Sequence, residues 1–377
     1  MANEANRARY LTEAVRQDLG DRMVFLGGPR QVGKTTLALG LLDPPSPEHP
    51  AYHNWDDVRV HRRLLRGELP PEQGLIVLDE IHKYPRWRNL VKGFYDVGRH
   101  RHSFLVTGSA RLDYYRRGGD SLQGRYHFYR LHPFSLPEMG GKGSAALLRF
   151  GGFPEPLLRG QERFWRRWQR ERTRRIIHDD LRDLETVKEI GLLDLLASEL
   201  PHRVGSPLSI RSLAEDLQVA HRTAERWVRI FERLYICFRI SPLGGREIRA
   251  VKKEKKLYLW DWSQVHEAGP RFENMMAAHL LKYCHHIEDT EGFEMELRFV
   301  RDTDKREIDF VVLREGRPLF AVECKTGERD LSPAIPYFLE RTDIPLCYQV
   351  HLGTKDYEKR GTRILPFERF CEVAGMV

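Results

Sequence analysis

The 377-residue sequence predicts an α/β protein of three parts. These are an N-terminal parallel-sheet domain (1–137), a helical linker with a winged helix (138–262), and a C-terminal α/β domain (263–377). Three observations predict this. At roughly 150 residues per domain the length allows two or three domains. In the first third, short apolar runs alternate with helical stretches, which implies a parallel sheet. In the last third, charged residues punctuate two apolar strand-like runs, a costly placement in a core unless the charges serve a site.

Composition narrows the class. Apolar residues make up 41% and charged residues 31%, which excludes wholesale disorder. Lys and Arg total 62 against 54 Asp and Glu, a net charge of +8, which suits a nucleic acid or an anionic membrane surface. No stretch approaches the roughly 18 apolar residues of a membrane span, and the N-terminus lacks a signal-peptide core. The expectation is a cytoplasmic protein, and because the excess bases gather in the middle segment, between two phosphate-handling sites, no membrane partner is expected. Five scattered cysteines without CxxC spacing argue against a disulfide framework or a structural zinc site. Cys284-His285-His286 reads as a helix end rather than a ligand set, because neighbours on a helix diverge.

The first element is Met23–Leu26, an apolar run typical of a buried parallel strand. It feeds Gly28-Pro29-Arg30-Gln31-Val32-Gly33-Lys34-Thr35, which matches GxxxxGK[ST], and then a helical run from Thr36. Glycines let the backbone wrap phosphates, and N–H groups at a helix start favour anions. Residues Gly28 to Thr36 are thus assigned to ATP, with Lys34 reaching the β/γ-phosphates and Thr35 ligating Mg²⁺. Tyr52–Asp57 reads as a further strand with acids at its rim. Gly74–Asp79 then ends in the acid pair Asp79-Glu80. Asp79 would hold Mg²⁺, and Glu80 would polarise the attacking water. After the next apolar strand, Ser103–Thr107, Thr107 and Ser109 are candidates to sense the γ-phosphate, or else a simple strand-ending turn. Arg125, before Tyr126–Leu131, is a candidate arginine finger, in cis or from a neighbouring subunit of a homo-oligomer.

The middle segment is basic. Arg166, Arg167, Arg170, Arg172, Arg174 and Arg175 are interleaved with Phe164, Trp165 and Trp168. Two readings stand: arginines on phosphates with aromatics stacking on bases, or an amphipathic helix with aromatics inside and a solvated basic face. Next, Ser212 and Glu215 suggest a capping box, and a turn leads to a second helix carrying Arg222 and Arg226. With Ile236–Ile240 and Lys256–Leu259 as a wing, this is a winged-helix pattern, which reads nucleic acid or serves as a protein spacer. The wing bases, Lys253 and Lys256 among them, would meet phosphate.

The C-terminal part carries Glu273 on a helical run, Asp309 on Glu307–Val312, and Glu323 and Lys325 on Leu319–Lys325. Asp309, Glu323 and Lys325 form the Asp-x(n)-Glu-x-Lys pattern of metal-dependent nucleases. Asp309, Glu323 and Glu273 would ligate Mg²⁺, with Mn²⁺ as a substitute, and Lys325 would orient or deprotonate water. A two-residue turn at Glu315-Gly316 would put Asp309 on the wrong face. The pattern therefore predicts a three-residue loop or a bulge there.

The stretches GGPRQVGKTTL, LIVLDEIHKYPRW, FLVTGSARL, LQGRYHFYRLHPFSLPE, GGFPEPLL, KKLYLWD, FENMMAAHLL, EIDFVV and AVECK occur in order, from about residue 21 to about residue 327. In these the chain resembles the prokaryotic family of AAA-type ATPases with a C-terminal DUF4143 domain. The resemblance implies an AAA+/ASCE P-loop ATPase joined through a winged helix to a PD-(D/E)xK, restriction-endonuclease-like fold. It carries over Lys34, Thr35, Asp79 and Glu80 as ATP-site residues, and Glu273, Asp309, Glu323 and Lys325 as the nuclease-like site. Where that motif usually has Pro-Asp, this chain has Ile308-Asp309. The expected function is an ATP-driven enzyme acting on DNA, branched or otherwise structure-specific, that gates metal-dependent cleavage. The alternative is a nucleotide-switched DNA- or protein-binding ATPase, or a branch-migration-type remodeller, whose C-terminal domain does not cut.

Overall fold

A computed structural model describes residues 9–108, 122–180, 189–244 and 254–377. Two units result, 1–133 and 134–377.

In the first unit, helix α1 (Thr12–Asp18) precedes β1 (Met23–Gly27), all five of whose residues are buried. Then come α2 (Lys34–Leu39), β2 (Tyr52–Asn54), α3 (Val58–Leu65), β3 (Gly74–Asp79), α4 (Trp87–Gly98), β4 (His102–Thr107) and β5 (Tyr126–Arg130). The Asp57 carboxylate caps α3 by accepting from the Arg59 N–H (2.7 Å). The strands form one wholly parallel sheet in the order β2-β3-β4-β1-β5. Strand β4 thus lies between the two that carry the phosphate-loop glycines and the acid pair. Because all strands run one way, Gly27, Asn54, Asp79, Thr107 and Arg130 end on the same edge, where open α/β sheets bind ligands.

The second unit begins with α5 (Ser144–Phe150), α6 (Pro154–Arg159), α7 (Glu162–Arg175), α8 (Ile190–Glu199), α9 (Ile210–Asp216) and α10 (His221–Arg233). The cap of α9 is Ser209, whose hydroxyl accepts from the Ser212 N–H, so Ser212 sits inside the helix rather than capping it. Strands β6 (Cys237–Pro242) and β7 (Lys256–Leu259) pair antiparallel. Helix α11 (Ala268–Glu291) follows, and Cys284, His285 and His286 lie within it. The remainder is β8 (Met295–Arg301), β9 (Glu307–Arg314), β10 (Arg317–Lys325), α12 (Ala334–Leu339), β11 (Cys347–His351), β12 (Tyr357–Lys359), β13 (Thr362–Pro366) and α13 (Phe367–Val373).

One eight-stranded mixed sheet runs β12-β13-β11-β10-β9-β8-β6-β7. Strand β6 joins it through Ser241 and Pro242, parallel to Arg298 and Phe299 of β8. The sheet therefore crosses residue 262, where the sequence suggests a boundary: the antiparallel pair β6 and β7 continues the C-terminal sheet. Phe272, Met275, Met276 and Leu280 bury one face of α11.

His279 of α11 is a core histidine. Its Nε2 accepts from the Leu136 N–H (3.1 Å), and Nδ1 lies 2.8 Å from the Met275 carbonyl. Burial pushes its pKa down to about 4. An unfolded chain takes up the proton near pH 6.5 and the folded one does not, so stability falls as pH drops from about 6.5 to 4. Thermal melts of the second unit should show this loss, and His279→Gln should flatten it by up to about 3 kcal/mol. Parallel profiles for both proteins would refute the assignment.

Candidate functional site

The first unit places the predicted nucleotide residues together. Gly28 to Gly33 form the turn between β1 and α2, and Lys34, Thr35 and Thr36 are the first three residues of α2. Gly28 (φ +139) has no alternative, since a Cβ there would stand 2.4 Å from the Leu131 carbonyl oxygen. Gly33 also has a left-handed backbone, φ 100, at the start of α2. The Lys34 ammonium is buried and turned into the loop, donating to the carbonyls of Gly28 (3.0 Å) and Pro29 (2.7 Å). The buried Arg9 braces the loop from behind, donating to the carbonyls of Val32 (2.8 Å) and His132 (2.5 Å). Sequence reasoning missed Arg9, because a lone arginine outside any motif carries no signal of burial.

Asp79 is the centre of the site. Its Oδ2 accepts from Thr35 Oγ1 (2.9 Å) and from the Tyr52 hydroxyl (2.7 Å), and its Oδ1 accepts from Thr107 Oγ1. Thr107 therefore touches the aspartate directly. Tyr52 was not anticipated: only the β2–β3 register, Tyr52 beside Val77, brings it there. Burial and the Asp79 charge raise the Tyr52 hydroxyl well above its usual range, so it stays a donor. Glu80 follows with φ 58, a left-handed conformation uncommon for a side chain of this kind. Its Oε2 lies 3.4 Å from Lys83 Nζ and 3.7 Å from His82 Nε2.

These residues fit ATP with Mg²⁺. A hydroxyl and a carboxylate 2.9 Å apart are the hard oxygen donors that Mg²⁺ takes. Gln31 Oε1, in the loop, is buried without a hydrogen-bond partner. Bound Mg²⁺ would neutralise charge developing on the transferred phosphoryl group. Removing the Tyr52 hydroxyl should loosen Asp79 without unfolding the sheet. Tyr52→Phe is expected to lower kcat for ATP about tenfold, as for a lost hydrogen bond to a charged group, with a smaller change in KM. An unchanged kcat would make Tyr52 structural only.

Arg125 is elsewhere. Tyr126 pairs with Met23, so Arg125 precedes the sheet edge opposite the phosphate loop, about 15 Å away along five residues of β1. Its Nε donates to Asp96 (2.9 Å). A finger acting in cis is thereby corrected: parallel pairing sends the two ends of β5 to opposite edges. Ser109 lies outside the described residues.

In the second unit, strands β9 and β10 meet through a two-residue turn, Glu315-Gly316, with φ 52 and 71. The expected three-residue loop is absent, and the register shift occurs instead between Pro318 and Phe320. It pairs Val322 with Phe310, and one step further Asp309 lies beside Glu323. Asp309 Oδ2 accepts from the Cys324 N–H (2.9 Å), and Lys325 Nζ lies 2.6 Å from Glu323 Oε1. Burial, then the Asp309 charge, push the carboxyls of Glu273 and Glu323 up to about 7 and about 8.

Lys256 belongs to this cluster and not to a phosphate-binding wing. It is fully buried, with Nζ 3.0 Å from Glu273 Oε1, 2.5 Å from Glu307 Oε1 and 3.5 Å from Asp309 Oδ1. The wing reading is corrected for this residue, since as the first residue of β7 it points into the sheet's core side. Burial lowers its pKa, but Glu273, Asp309 and Glu307 outweigh that and hold the ammonium well above the usual lysine range. Among the described residues, no group of three His, Cys, Asp or Glu side chains is placed to hold a metal ion. The expected metal set of Glu273, Asp309 and Glu323 does not fit as it stands.

The basic helix α7 turns its aromatics inward. Trp168 is buried, Trp165 Nε1 donates to Ser263 Oγ (3.0 Å), and Phe164 lies under the Arg159 guanidinium at 4.0 Å. Of these rings only Trp168 is buried; Phe164 and Trp165 are half-buried. Arg172 is buried over the Phe153 ring (4.0 Å) and leaves the basic face. Arg166 pairs with Glu162 and Arg175 with Glu171. That leaves Arg163, Arg167, Arg170 and Arg174 exposed at i, i+4, i+7 and i+11, one stripe about 16 Å long with no acidic partner among the described residues. On α10, Arg222, Arg226, Arg229 and Arg233 are exposed at the same spacing, Arg229 pairing with Glu225 (2.6 Å). Lys253 lies outside the described residues. No helix among the described residues is long and apolar enough to cross a membrane.

Comparison with known proteins agrees with the two ends of the chain. Residues 20–140 match the family model of an AAA domain, 121–271 that of a domain of unknown function, DUF8612, and 268–370 that of DUF4143. Uncharacterised proteins of Mycobacterium bovis and Mycobacterium tuberculosis are each 26% identical over 325 residues, covering 83% of this chain and 71% of theirs. The Thermotoga maritima RuvB Holliday junction branch migration motor aligns at 16% identity over 63% of this chain and 89% of that one, with a TM-score of 0.32. A point variant of the same protein aligns at 17% identity with a TM-score of 0.31. At such scores the likeness carries no argument.

Proposed function

We propose that this chain, in which an AAA domain precedes a DUF4143 domain, is an ATP-hydrolysing switch. Its nucleotide state governs how the second unit grips a nucleic-acid backbone, with DNA as the expected partner. The observation that carries the nucleic-acid part is the arginine stripe of α7. Four neighbouring guanidinium groups without acidic partners among the described residues repel one another, and a row of phosphates relieves that repulsion. Helices α9 and α10 with the β6–β7 hairpin follow the winged-helix order and support the same reading. In the ATP site Lys34 binds phosphate, Thr35 and Asp79 hold Mg²⁺, and Glu80 polarises the attacking water. A homo-oligomer in which Arg125 serves a neighbour would first have to break its pair with Asp96.

The test is binding of labelled duplex and branched DNA with ATP, ADP and no nucleotide, across a salt series. Replacing Arg163, Arg167, Arg170 and Arg174 by alanine should flatten the plot of log affinity against log salt by roughly 0.9 per lost phosphate contact. An unchanged slope would remove the stripe from the interface. Affinity indifferent to nucleotide would remove the switch.

The metal-dependent nuclease is a second reading, and one observation favours it: Glu323 Oε2 is buried beside Asp309 without a hydrogen-bond partner. It predicts cutting of branched, single-stranded or duplex DNA with Mg²⁺ or Mn²⁺ that is lost in Lys325→Ala. No cutting by either protein retires it.

A further inference from the structure

The carboxylate cluster of the second unit already contains a cation. Glu273 comes from α11, Glu307 and Asp309 from β9, and Lys256 from the first position of β7. The Lys256 side chain is completely buried, and its Nζ lies within 3.5 Å of an oxygen from each of the three acids. Each acid also has a further partner. The Tyr258 hydroxyl donates to Glu273 Oε1 (2.7 Å), the Cys324 N–H to Asp309 Oδ2 (2.9 Å), and Arg301 pairs with Glu307 Oε2 (3.1 Å). A divalent ion bridging Glu273 Oε1 and Asp309 Oδ1 would need the oxygens that face the ammonium. It would also sit against a like charge that has no path to solvent. Glu323 lies beside Asp309 on the neighbouring strand but makes no ion pair with Lys256, its Oε1 being bound by Lys325.

We propose that the Lys256 ammonium is the resident cation of this cluster, filling the place between Glu273, Glu307 and Asp309 that a divalent metal would require. The cluster then takes up neither Mg²⁺ nor Mn²⁺. It acts as a clasp that holds the β6–β7 hairpin to α11 and β9. This rests on the non-cutting reading above. It gives that reading a cause: the third carboxylate of the nuclease pattern is spent on a lysine.

The experiment is Mn²⁺ binding to the full chain, followed by the loss of the free-ion signal in electron paramagnetic resonance. It is run without nucleotide and with Asp79→Asn throughout, which silences the ATP site. The parent is expected to bind no Mn²⁺. Lys256→Ser is expected to gain one ion, to lose it again when Asp309→Asn is added, and to melt higher with Mn²⁺ than without. A parent that binds one ion and loses it in Asp309→Asn overturns the proposal. So does a folded Lys256→Ser that gains none, since the ammonium would not then be what excludes the metal. Should Lys256→Ser fail to fold, the parent compared with Asp309→Asn decides alone. Nucleotide-dependent DNA binding is read separately, so the switch can fail while the clasp stands, and the reverse.

Discussion

Lys34→Ala is expected to lower the rate of ATP hydrolysis by about 10²–10³-fold while leaving the first unit folded. The ammonium is buried and bound to the carbonyls of Gly28 and Pro29, so it is already held over the space that the phosphates would fill. Phosphate oxygens would replace those carbonyls as acceptors, and the charge would be most valuable as negative charge develops in transfer. Alanine at this position leaves two loop carbonyls that water can satisfy, so the cost to folding is small. Phosphate release measures the rate, and circular dichroism checks the fold. Glu80→Gln provides the contrast: ATP should still bind, but turnover should fall by a similar factor, because only the attacking water loses its partner. A Lys34→Ala protein with near-normal turnover would place hydrolysis at another site.

The largest expected effect on stability is at Lys256. Lys256→Met keeps the volume and removes the charge, which leaves the largely buried Glu273, Glu307 and Asp309 around an apolar chain. Breaking one partner out of a buried ionic group typically costs about 3–5 kcal/mol. Urea unfolding of the second unit should show a loss of that size. Adding Asp309→Asn and Glu273→Gln should recover part of it, because neutral amides lose the mutual repulsion that the lysine offsets. A Lys256→Met protein within about 0.5 kcal/mol of the parent would mean that the carboxylates protonate freely and the ion pairs add little. The recovery in the triple variant separates this electrostatic account from simple cavity formation.

Much of the first unit is written locally. The phosphate loop occupies eight consecutive residues between an apolar strand and a helix, and the acid pair directly ends a strand, so chain order alone brings them to one sheet edge. Tyr52 and Arg9 reach the same site by strand pairing and by packing, which adjacent residues do not encode. Arg125 shows the opposite case. It looks catalytic by its place in the chain, yet parallel pairing of β5 with β1 sets it at the far edge. In the second unit the residues Asp309, Glu323 and Lys325 are legible as a pattern. Their meeting depends on a one-residue register shift between Pro318 and Phe320, where the turn itself has the two residues that would forbid it. Likewise the arginines of α7 are visible as composition. Which four remain exposed is settled by the aromatics that turn inward and by Glu162 and Glu171 taking two of the others.

What the sequence determined by itself was therefore the chemistry that short-range order carries: an ATP site, an acidic strand pair and a basic helix. Only the tertiary structure decided what the acidic pair faces. Lys256 stands in a run of lysines that reads as solvated wing, and nothing in its neighbours marks it for burial. It is buried because β7 is the edge strand that continues the C-terminal sheet, which places the first residue of that strand among carboxylates 17, 51 and 53 positions away. A buried ammonium and three acids stabilise one another only once the sheet is assembled, so their partnership is a property of the fold rather than of any segment.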